Sequence, residues 1–216
     1  VVTNLWLVRH AQPLIEPGVC YGALDVPADG QATLRAAHAL ALALPAGVQL
    51  ISSPLQRCEQ LAQCLRGLRP DLSCKTDARL AEMDFGQWEG QRWQSIARAE
   101  LDSWTDAFNT WRCGGAESVH DVMTRVAAVW DETRAQKHPT AWITHAGVIR
   151  AASLIAKGQR HIHRADQWPK ESPAFGRWQR LASTPVQHDC TKETLHNSQT
   201  FMPVVVPINH VFRFVG

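Results

Sequence analysis

Five residues in this 216-residue chain have types and positions that could do chemistry together. Arg9 and His10 end the apolar run Leu5-Trp6-Leu7-Val8. Arg57 lies one turn into an amphipathic segment that follows Ser52-Ser53-Pro54. Glu82 sits in "LAEMDFG", with Asp84 two residues on, and His145 ends the apolar run "AWIT". Alone, Arg9-His10 reads as an ordinary strand end. Two arginines, two histidines and an acid at the ends of separate apolar runs make a set. Two guanidiniums can clamp phosphoryl oxygens with forked hydrogen bonds. A neutral imidazole can attack phosphorus, and a carboxylic acid can protonate the leaving oxygen.

Such a set works only if the elements carrying it bring their ends together. The pattern alternates short apolar runs with helical periodicity. A strand at Leu5–Val8 is followed by a turn-rich loop, Pro13 to Pro27. Asp29 can cap a helix over "GQATLRAAHALALAL" that Pro45 stops. "VQLISS" is the next strand, and Pro54 suits the first turn of the helix "LQRCEQLAQCLRGL". "LSCKTD" reads as a third strand, and Gln91–Trp111 as a helical stretch of mixed pattern. In "ESVHDVMTRVAAVWDETRAQ", Val119, Val122, Val126 and Val129 recur at helical spacing behind a Ser118 cap. "TAWITHA" is a strand, and "GVIRAASLIAK" its following helix, with Ala146-Gly147 permitting close approach. "AFGRWQRLA" is a further strand.

This alternation predicts an α/β fold: a three-layer αβα sandwich around a mostly parallel central sheet. In such sheets ligands bind beyond the carboxyl ends of the strands, where the five residues fall. The expected organisation is one domain over residues 1–183 and a C-terminal extension over 184–216. In that extension Pro203 and Pro207 argue against a central strand.

Net charge is only +2, which gives no nucleic-acid or membrane footprint, and no apolar run approaches the ~20 residues of a membrane helix. The six cysteines form no C-x-x-C pair and no zinc spacing, so they read as reduced packing thiols in a cytoplasmic protein. "HIH" (His161, His163) lacks supporting ligands, and no metal site is expected. Trp88, Trp93, Trp104 and Trp111 read as core or lid packing. Glu117, in "GGAES", reads equally as part of a motif or as a first-turn helix carboxylate, and Arg66 and Arg69 as a solvated helix end.

The segments "LVRHAQ", "SSPLQRCEQLA", "LAEMDFGQWEG", "GGAESVHDVMTRV" and "THAGVIRA" together resemble the histidine phosphatase superfamily, the phosphoglycerate-mutase-like fold, over about Leu5 to Leu181. The resemblance implies a phosphomonoesterase acting on a small phosphorylated metabolite without metal or organic cofactor. His10 would become a phosphohistidine. Arg9, Arg57 and His145 would hold the phosphoryl oxygens. Glu82, rather than Asp84, would act as acid and then as base for water. Ala11 stands where the family usually has Gly, and Gln12 where many members have an acid. A phosphoglycerate-type mutase is the rival reading, but its longer basic insertion after the acid motif is missing here. A broad-specificity phosphatase and a catalytically inactive binder of phosphorylated ligands are the others. The loop "EPGVCYGALDVP" and the later "WPKESPAFGRWQRL" are similar to those of α-ribazole phosphatases of cobalamin biosynthesis. That likeness implies α-ribazole 5′-phosphate, or the cobalamin 5′-phosphate carrying it, as substrate. Tyr21, beside a flexible Gly22, would line the pocket mouth and meet the base.

Overall fold

The computed structural model describes residues 4–136 and 138–182. The expectation of a separate extension over 184–216, and His188, His196 and His210 with it, lies outside the described residues. Five strands form one sheet in the order β3-β2-β4-β1-β5. They are β1 (Asn4–Arg9), β2 (Gln49–Ser52), β3 (Cys74–Thr76), β4 (Thr140–Thr144) and β5 (Trp178–Ala182). The first four run parallel, and β5 pairs antiparallel to β1 at one edge.

The alternation of side chains along β1 builds the layers. Leu5 and Leu7 join Ile51 and Trp142 in one core, with residues of α4 (Val119–Ala135) and α5 (Ala146–Ala156). Trp6 and Val8 join Leu50, Ala141 and Ile143 in the other, with residues of α1 (Gly30–Ala43) and α2 (Gln56–Leu68). Because consecutive side chains of a strand face opposite ways, both faces of β1 are buried and its run reads as continuously apolar. The result is the αβα sandwich with a mostly parallel sheet that the alternation predicts.

Local signals act largely as read. Asp29 accepts from the Ala32 N–H at 2.6 Å at the start of α1. Ser118 and Asp121 form a capping box on α4. Three readings change. Pro54 does not occupy the first turn of α2, since Leu55 is its N-cap. Asp25, from the long loop, satisfies the Gln56 N–H at 2.8 Å instead. Gln91–Trp111 is not one helix. It contains the 3₁₀ turn Trp93–Ser95 and the short helix α3 (Arg98–Asp106), and another 3₁₀ turn, Gly86–Trp88, precedes it. Arg69 is no solvated end: it donates to the Ala41 and Leu44 carbonyls at 2.9 Å and ties α2 to the end of α1.

Candidate active site

Sheet register brings the chemistry together. Arg9 pairs with Thr144, and Ser52 with Ile143. The ladder continues one step past the strands, as the His10 N–H bonds the Thr144 carbonyl at 3.1 Å and the Ser53 N–H the Ile143 carbonyl at 2.9 Å. Three adjacent parallel strands therefore release His10, Ser53 and His145 at one edge. The rings of His10 and His145 lie 5.1 Å apart, centroid to centroid. Arg9, His10, Arg57, Glu82 and His145 are all buried.

His10 is held as a nucleophile would be. Its Nδ1 lies 2.7 Å from the Ala11 carbonyl, which can only accept, so Nδ1 carries the hydrogen and Nε2 keeps its lone pair. Burial, and then the Arg57 charge, push the pKa of His10 well below its ordinary 6.5, which keeps the ring neutral. His145 is held neutral in the same way, by burial first and by Arg57 next. Its Nε2 stands 2.8 Å from the Ser53 hydroxyl, while its buried Nδ1 has no partner among the described residues. When Ser53 donates to Nε2, the proton resides on Nδ1, ready for an anionic oxygen.

The guanidiniums are fixed by the loop between His10 and α1. Arg57 donates to the carbonyls of Gly22 at 2.6 Å and Leu24 at 2.9 Å. That uses two of its five N–H donors, and its buried Nε has no partner among the described residues. The N–H groups of the same loop turn the other way, onto Glu89. Its carboxylate accepts from Gly22, Ala23 and Leu24, and from Phe85, at 2.9 to 3.1 Å. Arg9 donates to the Pro173 carbonyl at 3.1 Å and to the Tyr21 hydroxyl. Burial lowers its pKa from the ordinary arginine value, against the pull of Tyr21 and Glu82.

Tyr21 is buried, its hydroxyl meets Arg9, and its ring lies 5.5 Å from the Arg57 guanidinium. It stands against both guanidiniums of the candidate site. Gly22 is not a point of flexibility. A Cβ there would collide with the Met83 carbonyl and come within 2.7 Å of the Phe85 ring, so the position requires glycine for close approach.

Glu82 reaches the site from the connection after β3. Its Oε2 accepts the Gly147 N–H at 3.0 Å and its Oε1 the Met83 N–H at 3.1 Å, so the carboxylate sits at the N-terminus of α5, directly after His145. Asp84 is used otherwise: its Oδ1 accepts the Gly86 N–H at 2.8 Å in a turn. Glu117 precedes the Ser118 cap and is no first-turn carboxylate. It grips Arg125 with both oxygens, at 2.6 and 3.0 Å. Arg125 in turn holds the carbonyls of Arg79, Ala81 and Glu82, pinning the segment that carries Glu82.

Behind that segment, Phe85, Trp88, Trp93, Trp104 and Phe108 pack edge-to-face and stacked. The tryptophans there are core residues, with Trp111 partly buried against them. His161 stacks on His120, and His163 is exposed.

A cleft of about 500 Å³ opens beside Glu82. Ala23, Ala78, Ala81 and Ala116 give it small walls, and Asp84, Glu117 and Arg125 complete it. Sequence reading does not reach Arg150, which is buried on α5 with its pKa lowered to about 10 by that burial, opposed by Glu82. Nor does it reach Ser53, Glu89 or Phe175, which act only through folded contacts. Their signal lay in "SSP", "WEG" and "PAF", none of which marks a role by itself.

The model of the histidine phosphatase superfamily (branch 1) matches residues 5–174. A curated relative from Hydrogenobacter thermophilus, named for phosphoserine phosphatase activity, is 27% identical over 165 residues, 72% of this chain and 79% of its own length. Among solved structures, mycobacterial glucosyl-3-phosphoglycerate phosphatase in complex with inorganic phosphate is 26% identical, with a TM-score of 0.61, covering 71% of this chain and 78% of that one. The protein TTHB049 from Thermus thermophilus is 29% identical, with a TM-score of 0.57, covering 73% and 86%.

Proposed function

The chain belongs to the histidine phosphatase superfamily (branch 1) and is a phosphoric monoester hydrolase, and from that premise we propose that it works through a phosphohistidine on His10. The observation that carries this reading is the His10 ring with its Nδ1 tied to the Ala11 carbonyl, 5.1 Å from the His145 ring in a nest of guanidiniums. Nε2 attacks phosphorus, and the P–O bond to the leaving group breaks. Arg9, Arg57 and His145 donate to the phosphoryl oxygens as charge shifts onto them. Glu82, rather than Asp84, gives its proton to the leaving oxygen. In the second half, water attacks phosphorus, its proton passes to Glu82, and inorganic phosphate leaves as the N–P bond breaks.

For substrate, we propose a phosphorylated ribonucleoside with a bulky base, α-ribazole 5′-phosphate or the cobalamin 5′-phosphate that carries it. The likeness of the Glu16–Pro27 loop supports this, and that loop is part of the site, since Arg57 and Glu89 clamp Gly22 to Leu24. The cleft that shares Glu82 with the site has alanine walls, and its cation, Arg125, is engaged by Glu117 and three carbonyls. A leaving group without an anion fits such walls better than a carboxylate.

A second reading is a small phosphorylated hydroxy-acid. The names of the Hydrogenobacter and mycobacterial relatives favour it. A panel of α-ribazole 5′-phosphate, phosphoserine and 3-phosphoglycerate tests the two. The nucleotide should give the highest kcat/KM by at least about tenfold, ~1.4 kcal/mol of transition-state discrimination. A flat profile, or preference for the acids, refutes the substrate proposal and leaves the hydrolase intact. Tyr21→Phe should lower kcat/KM on all three alike, because its hydroxyl serves Arg9.

A further inference from the structure

The chain between α5 and β5 crosses the phosphoryl site and is bonded to both residues of the Arg9-His10 pair. The Gly176 N–H donates to the His10 carbonyl at 2.9 Å, and the Arg9 N–H to the Arg177 carbonyl at 2.9 Å. These bonds fix the position of a tight turn, closed by the Arg177 N–H on the Ala174 carbonyl at 3.0 Å. Gly176 has φ of +69°, and a Cβ there would lie 2.9 Å from that of Ala36, so the turn has little freedom to move. Its tip carries Phe175. The Arg9 guanidinium carbon lies over its ring, 3.8 Å from Cζ to centroid, and the ring is 5.5 Å from that of His10. Phe175 is half-buried and stands one residue past the span matched by the family model.

A guanidinium held by its face keeps its donors. All five N–H groups of arginine lie in the plane of the fork. A hydrogen bond to a carbonyl uses one of them, as Pro173 does on Arg9. A ring stacked on the face uses none, yet it fixes the plane, and the attraction of the ring quadrupole for the cation grows as water is removed. Burial of Arg9 puts the contact in that regime.

We propose that Phe175 is a positioning residue for phosphoryl binding: its ring sets the plane of the Arg9 guanidinium and so the direction in which its in-plane N–H groups face the phosphoryl oxygens. The proposal rests on the reading of Arg9 as a phosphoryl ligand. Because Arg9 touches the transferred group and not the leaving group, loss of the ring weakens all substrates alike.

Binding of inorganic phosphate and of orthovanadate, measured by calorimetry, reads this without turnover. Phe175→Leu should weaken both about tenfold, Phe175→Trp should stay within about twofold of wild type, and 3,4,5-trifluorophenylalanine at 175 should fall between them. The fluorinated ring keeps the shape and loses the quadrupole. Trifluorophenylalanine binding as tightly as wild type would reduce the contact to packing and overturn the proposal. So would Phe175→Leu with unchanged affinity, or a loss in kcat/KM confined to one leaving group. Failure of wild type itself to bind phosphate would remove the premise about Arg9 and the proposal with it. Unaltered variants beside a binding wild type overturn the Phe175 assignment alone.

Discussion

Replacing Gly147 with alanine should disable the acid without unfolding the protein. Gly147 is the second residue of α5, and its N–H holds Glu82 Oε2 at 3.0 Å. A Cβ at that position would stand 2.4 Å from Glu82 Oε1 and 3.1 Å from Cδ, where ordinary contact begins near 3.4 Å. The carboxylate therefore has to retreat by about 1 Å, and Glu82, only 4% exposed, cannot swing into water. Losing one hydrogen bond to a charged group costs about 1.5–3 kcal/mol. Alanine in place of glycine returns up to ~1 kcal/mol in helix propensity, less at a helix end. The net, roughly 1–2 kcal/mol, lowers Tm by only a few degrees in a chain of this size. Catalysis suffers more, because a misplacement of ~1 Å can cost about a hundredfold. Phosphoenzyme formation should be timed with an alkyl phosphate and with an activated aryl phosphate. The alkyl substrate should lose about a hundredfold, and the aryl substrate, whose leaving oxygen needs little protonation, under about tenfold. Gly147→Ala added to Glu82→Gln should do no further harm, since both remove one function. A near wild-type rate with the alkyl phosphate, or equal loss on both substrates, would refute the placement of the acid at this helix start.

The two neutral histidines predict a pH-dependent stability. In the folded protein His10 and His145 have pKa values well below 6.5, by burial and then by Arg57. The unfolded chain takes up protons there sooner, so this stability is complete above about pH 6.5 and is lost as pH falls below it, at up to ~1.4 kcal/mol per pH unit per histidine. Thermal melts between pH 5 and 6.5 should flatten in the His10→Gln, His145→Gln double variant, and parallel curves would contradict the assignment. Gly22→Ala should destabilise by about 2 kcal/mol or more, because the added carbon meets the Met83 carbonyl and the Phe85 ring. Unfolding followed by circular dichroism checks this, and an unchanged Tm would mean the close approach has room to relax.

Residues that end strands could be read directly. Arg9, His10 and His145 follow apolar runs, and parallel pairing brings such ends to one edge whatever lies between them. Arg57 was legible because it follows β2 by one helical turn. Spacing alone does not separate Glu82 from Asp84; the motif resemblance favours Glu82, and in the fold Glu82 meets the Gly147 N–H while Asp84 meets that of Gly86. Gly22 reads as flexible because a loop's composition suggests freedom, whereas Glu89, 67 residues away, holds this one in place. Gln91–Trp111 has a mixed pattern because its rings bury against one another through a 3₁₀ turn and α3, and a cluster of large rings imposes no single period. Phe175 and Ser53 lie in segments, "PAF" and "SSP", that mark no role by themselves, because each meets its partner only in the fold.

The central claim is that His10 carries the phosphoryl group, and trapping that group tests it most directly. Wild-type protein mixed with a ³²P-labelled monoester and quenched in base within milliseconds should yield labelled protein. The label should be stable to base and labile to acid, as phosphohistidine is, and map to the peptide that contains Arg9-His10. His10→Ala should give no label and lose more than about a thousandfold in turnover, ~4 kcal/mol of barrier, while its melting curve still shows a folded protein. Label on any other residue, or an alanine variant that keeps within tenfold of wild-type turnover, would contradict the account.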